Sequence, residues 1–157
     1  MTRVGLWDPA LFFYKPLISI IMDIKIITKR LRRFNHCSMF IPHLYPGKSP
    51  LFISTGIKYV RDSLEGFCLI DTILCLQCDR VIGKIFFQKW IYTQQTKDLS
   101  WILQCYENEK LIISKKIEFS TFLLPKIEIW LINKNLLLPG EYWHEQQRKT
   151  KKKRRSL

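Results

Sequence analysis

Cys75-Leu76-Gln77-Cys78 has the spacing of a metal knuckle. A structural zinc site needs four ligands, and no second pair of this kind follows. Cys105, His36 and Cys37 are the remaining candidates, and they are scattered along the chain. The pair also closes an apolar run, where reduced cysteines serve as small hydrophobes. No metal and no cofactor are therefore expected. His36, His43 and His144 have no serine, cysteine and carboxylate neighbours that suggest a triad. With six glycines in 157 residues there is no glycine-rich phosphate loop. No catalytic residue is assigned, and the expectation is a binding protein, not an enzyme.

Basic and aromatic side chains interleave instead. Lys58 and Arg61, then Lys84, Lys89, Trp90, Tyr92 and Trp101 are the candidate nucleic-acid-binding residues. Single strands are held by this combination, with cations along the backbone and rings stacked on bases. About half of the rings are expected in the core. If Phe87 points inward, Lys89 does too, so strand alternation must break between them. The charge agrees with a polyanionic partner: 26 Lys and Arg stand against 13 Asp and Glu, a net +13. Seven of the eight positions Arg148–Arg155 are basic, which leaves +6 on the rest. Both parts attract phosphate through counterion release. Within the tail, Lys151, Lys152, Lys153, Arg154 and Arg155 read as a nuclear-import signal.

The elements that must carry these residues read mainly as strands. Residues 148–157 form the basic tail of one domain, 1–147, whose extension spans 1–50. Leu11–Ile27 is apolar but broken by Lys15, Pro16, Asp23 and Lys25, which argues against a membrane span. Its Ile content favours an extended segment, while Leu17, Ile20, Ile21 and Ile24 also fit helical spacing. Lys29–Arg33 reads as a solvated loop or strand end. Pro42, Pro46, Gly47 and Pro50 mark 42–54 as a loop. Ile57–Leu76 reads as one long strand bent near Gly66. Further strands are expected over Val81–Tyr92, Trp101–Tyr106, Leu111–Ile113 and Lys126–Ile132. Pro139 and Glu141 then open a charged helix running to Lys153. Five strands and a C-terminal helix predict a small barrel. Five cysteines without a secretory signal suggest a reducing, intracellular compartment.

The order of features resembles the Stn subunit of the telomere-capping CST complex. Trp7-Asp8-Pro9 with Leu11-Phe12 is similar to that family's opening. Lys58-Tyr59-Val60-Arg61 with Leu64–Ile70 is similar to its glycine-bearing strand. Phe86-Phe87, Ile102–Tyr106, Lys126–Ile132, Asn133–Asn135 and Glu141-Tyr142-Trp143 follow in the family's order. The family's acidic turn after the second strand and its helix between strands three and four have no counterpart. The resemblance implies a five-stranded OB barrel that binds single-stranded telomeric DNA in the nucleus and limits telomerase. It implies a small OB-fold Ten subunit as partner, docked through Tyr142 and Trp143, with a larger telomere-binding subunit as a further partner. No small-molecule substrate and no membrane enter that reading. The alternative is a small basic protein associated with RNA, the ribosome or a membrane.

Overall fold

The computed structural model describes residues 23–35, 39–43 and 50–142. The chain forms two compact units, residues 1–33 and 34–157. In the first, residues 23–31 are an α-helix, α1. Thr28 Oγ1 donates to the Ile24 carbonyl at 2.8 Å, and Arg32 N to the Thr28 carbonyl at 3.1 Å. Lys29–Arg33 is therefore a helix C-terminus and not a loop or strand end. Cations are favoured there by the helix dipole. The Trp7-Asp8-Pro9 opening lies outside the described residues.

The second unit is built on one seven-stranded sheet. Its strands are β1 (Phe40–His43), β2 (Leu51–Ser54), β3 (Phe87–Gln94), β4 (Trp101–Glu107), β5 (Lys110–Ile117), β6 (Lys126–Ile132) and β7 (Asn135–Leu137). They lie in the order β1-β2-β7-β6-β3-β4-β5. Only β2 and β7 pair in parallel. Helices α2 (Thr55–Ser63) and α3 (Phe67–Leu76) and a 3-10 turn (Ile82–Lys84) separate β2 from β3. Residues 139–142 are helical, α4.

The mainly β expectation holds, within an α+β arrangement, but the five-stranded barrel does not. Among the described residues β1 and β5 each pair on one side only, so the sheet is open. The cause is the segment read as one bent strand. Ile57, Val60 and Leu64 recur at helical spacing, as do Leu69, Ile70, Ile73 and Leu74, and all seven are buried. Ser54 caps α2, its Oγ accepting from Ile57 N at 3.1 Å. Amphipathic spacing and a cap thus override β-branched propensity, and Gly66 marks the corner between two helices. The loop expected over 42–54 contains β2 and the end of β1. The strand expected from Val81 starts only at Phe87.

Strand alternation assigns the two faces. Gln88, Trp90 and Tyr92 of β3 are buried, as are Trp101, Leu103 and Cys105 of β4 and Ile127, Ile129 and Leu131 of β6. These residues form the core with α2 and α3. Tyr92 stacks on Trp101 at 4.5 Å, and Phe122 meets both rings at 5.7 Å. Gln88 is buried because its amide is satisfied. It exchanges hydrogen bonds with Gln77 at 2.8 and 3.0 Å, donates to the Ile82 carbonyl at 2.8 Å and accepts from Trp90 Nε1 at 2.9 Å.

A second buried polar group ties the C-terminal turn to the start of α2. Glu141 is fully buried. Its Oε1 accepts from Gly56 N at 3.0 Å, and its Oε2 accepts from Ser54 Oγ at 2.5 Å and Leu138 N at 2.9 Å. One carboxylate therefore serves the N-termini of α2 and α4, where dipoles favour negative charge. A Cβ at position 56 would lie 2.9 Å from that carboxyl group and 2.8 Å from Leu138 Cδ1. Glu141→Ala strands three donors and is expected to lower unfolding free energy by about 3 kcal/mol. Gly56→Ala is expected to cost about 1–3 kcal/mol by overpacking. Urea unfolding of both variants checks this, with Glu141→Gln expected between Glu141→Ala and the unaltered chain.

Candidate functional site

The sheet face away from α2 and α3 is the candidate site. On β3 it carries Phe87, Lys89, Ile91 and Thr93, so alternation runs unbroken: Phe87 and Lys89 both point away from the core. In the cross-strand register Lys89 lies between Tyr106 of β4 and Trp130 of β6. Ile91 lies between Gln104 and Glu128, and Thr93 between Ile102 and Lys126. Apart from the exposed Lys126, these residues are half-buried. Among the described residues of this unit, the helix that reaches this face is α4, through Tyr142 against Trp130.

The rings on this face are held at defined angles. Trp130 meets Phe87 edge-on at 5.3 Å and 76°, and Tyr142 at 5.7 Å and 65°. Trp130 Nε1 donates to Glu128 Oε1 at 2.6 Å. Lys89 Nζ donates to both oxygens of Glu109 at 2.7 and 2.9 Å and sits 5.6 Å from the Tyr106 ring centroid. The hydrogen bond to Glu109 raises the Lys89 pKa, so this amine is a fixed cation. At the rim Lys116 Nζ lies 2.9 Å from Asp98 and 3.5 Å from Glu118, and its pKa is also raised, chiefly by Asp98. Rings with a cation between them suit planar, negatively charged chains.

The seven residues expected to touch nucleic acid are not brought together. Trp90, Tyr92 and Trp101 are at most 2% exposed, so they stack within the core and not on bases. Lys58 and Arg61 lie on α2, where Lys58 pairs with Asp62. Arg61 lies 5.1 Å from the Phe67 ring centroid, and its Nε is buried with no hydrogen bond among the described residues. Lys84 is exposed in the 3-10 turn. Of the seven, Lys89 alone is on the open face. Tyr142 packs on Trp130 of its own chain, which leaves it only partly available as a partner anchor. Trp143 and Lys151–Arg155 lie outside the described residues. Sequence reasoning missed Tyr106 and Trp130. The signal was alternation: Trp130 shares parity with Lys126 and Glu128, and Tyr106 with Gln104.

His36 and Cys37 lie outside the described residues. Cys105 is buried, and desolvation pushes its thiol up to about 12. Cys68, Cys75 and Cys78 are exposed on α3 and just beyond it. Among the described residues no three His, Cys, Asp or Glu side chains meet as a metal site.

The rim has one acid-sensitive contact. Hydrogen bonds from Lys116, then from Ser100, hold Asp98 down to about 2 from its ordinary 3.8. A depressed carboxylate contributes stability that is complete above about pH 4 and is lost as pH falls through about 2. The Ser100 amide resonance is expected to titrate in that window and to lose the titration in Asp98→Asn, as followed by NMR.

Residues 25–142 match a family model described as a family of unknown function (DUF6876). No curated protein and no solved structure matches the chain.

Proposed function

The chain belongs to the DUF6876 family, and we propose that it is a non-catalytic module that binds single-stranded nucleic acid across the open face of its sheet. The row Tyr106–Lys89–Trp130 carries this reading. Two half-buried rings flank a cation on three adjacent strands, at the inter-strand spacing of about 4.8 Å. Unpaired bases stack on such rings, while duplex bases are already stacked on one another. The Lys89–Glu109 contact does not close the face. Glu109 is 85% exposed on its side chain, and such pairs are worth little and yield to a competing phosphate.

The net +13 supports the same partner class. The resemblance to a telomere-capping subunit points to G-rich telomeric DNA as one strand to test. That role, its nuclear setting and its Ten-type partner go with a closed barrel, whereas the sheet of this chain is open, so we propose the ligand class without the strand sequence. RNA-binding is the neighbouring reading. No helix among the described residues is long and apolar enough to cross a membrane, which gives the membrane alternative no support from these helices.

Fluorescence anisotropy with labelled oligonucleotides tests the proposal. Trp130→Ala and Tyr106→Ala are each expected to weaken single-strand binding by about 5- to 100-fold, the range set by stacking energies of about 1–3 kcal/mol. Trp130→Phe should retain most of the affinity. Lys89→Ala should reduce the salt slope by about 0.7. Equal affinity for duplex and single strands, or ring variants that bind as the unaltered chain does, would sink the proposal. Comparing telomeric, mixed-sequence and RNA strands sets the preference within it.

A further inference from the structure

A cleft of about 180 Å³ opens at the end of the sheet where β2 and β3 begin and β6 ends. Its walls include Leu51, Leu131 and Ile85, and the Gln77–Gln88 amide pair lies beneath them. Phe86, Lys84, Asn133 and Lys134 complete the lining. None of these belongs to the Tyr106–Lys89–Trp130 row.

The cleft is built rigidly on both sides. On one, the 3-10 turn is closed by Lys84 N to the Val81 carbonyl at 3.3 Å and Ile85 N to the Ile82 carbonyl at 3.1 Å. Asp79 Oδ1 accepts from Ile82 N at 3.0 Å and Val81 N at 2.8 Å, and these bonds, Ile82's first, hold its carboxyl below the usual range. Gly83 packs so close to α3 that a Cβ would fall 2.3 Å from the Gln77 carbonyl oxygen. On the other side Asn133 and Lys134 have φ of 45° and 67°, consecutive left-handed residues that make a tight hairpin turn. That turn is pinned twice, by Asn133 N to the Phe86 carbonyl at 3.1 Å and Phe52 N to the Lys134 carbonyl at 2.9 Å.

The groups left over are those a ligand needs. Among the described residues, the ammonium groups of Lys84 and Lys134 meet no carboxylate, whereas Lys58, Lys89 and Lys116 all do. Phe86 is 67% exposed, a large ring presented to solvent at the mouth. Among the described residues, the side-chain oxygen of Gln77 accepts one hydrogen bond, from Gln88, of the two that an amide oxygen can take. The Asn133 carboxamide has no partner among the described residues. Two cations suit a dianion, two amides suit the polar edge of a heterocycle, and the ring suits its face. The volume is below the about 300–1,000 Å³ of pockets for drug-sized molecules, so it takes one planar ring while the charged group stays at the rim.

We propose that this cleft binds a phosphate monoester of a nucleoside, its base in the cleft beside Phe86 and its phosphate at Lys84 and Lys134. The same chemistry is offered by a free mononucleotide and by the 5′-phosphorylated end of a strand.

NMR titration of the full chain with AMP and UMP tests this. Shifts at 83–86, 88, 133–134 and the Gln77 side-chain amide are expected. Lys84→Ala combined with Lys134→Ala should weaken binding at least about 10-fold, and Phe86→Ala by several-fold. Trp130→Ala should leave mononucleotide binding unchanged, so failure of the open-face reading and failure of this one are separable. A 5′-phosphorylated oligonucleotide that binds more tightly than its 5′-hydroxyl counterpart, with the gain lost in the double lysine variant, assigns the strand end. Mononucleotide binding without that gain assigns the free nucleotide. No shift at the cleft residues, inorganic phosphate binding there as tightly as AMP, or no lysine dependence in either arm overturns the proposal.

Discussion

A carboxylate shut away from water persists only where donors converge on it, and Glu141 sits where the amide ends of two helices meet. Hydrogen bonds to its two oxygens join α4, the β2–α2 junction and the Ser54 cap. The first turn of α2 takes its direction from that junction, and the buried stripe of α2 follows from the direction. β7 ends at Leu137, one residue before Leu138, whose amide the same carboxylate accepts. The parallel pairing of β7 with β2 and the seating of α2 therefore share one anchor. Removing one partner of a buried charge-assisted contact costs more than the contact's average worth, because the other groups stay buried and unpaired.

Among the described residues of the second unit, α2 and α3 pack on one face of the seven-stranded sheet, and the other face carries the cation and the rings. The two faces differ in composition along the same strands. β3 sends Trp90 and Tyr92 into the core and Phe87 and Lys89 outward. Partial burial of the outward rings fixes their orientation, so little side-chain entropy remains to be lost when a flat ligand lies on them.

Much of the sheet was legible from residues alone. Trp101–Glu107 and Lys126–Ile132 alternate apolar and polar side chains, and their bounds were read to within a residue. Helices α2 and α3 were not, because Ile, Val and Leu in Ile57–Leu76 satisfy strand propensity, and only their spacing speaks for α-helix. β1 and β2 hid among prolines, and β7 is three residues long. For the site, composition identified cations and rings but assigned rings by type. Trp90, Tyr92 and Trp101 looked as suited to stacking as Trp130. Only parity against neighbours in the same strand separates them, and that needs the strand's start, which the unexpected 3-10 turn displaced. Glu141 was placed at a helix N-terminus, but its reach to a second helix from a distant part of the chain has no local signature.

The position of β7 bears on how the protein is made. Phe52 pairs with Asn135, so the hairpin of β1 and β2 has no neighbour on its inner side until β7 has left the ribosome. Synthesis at about 5–20 residues per second separates the two by several seconds. During that interval β2 presents an unpaired edge, and α2 lacks the carboxylate at its first turn. Long-range pairing of this kind slows folding. β3, β4 and β5, by contrast, need only one another to pair as a meander, and their partners leave the ribosome close together.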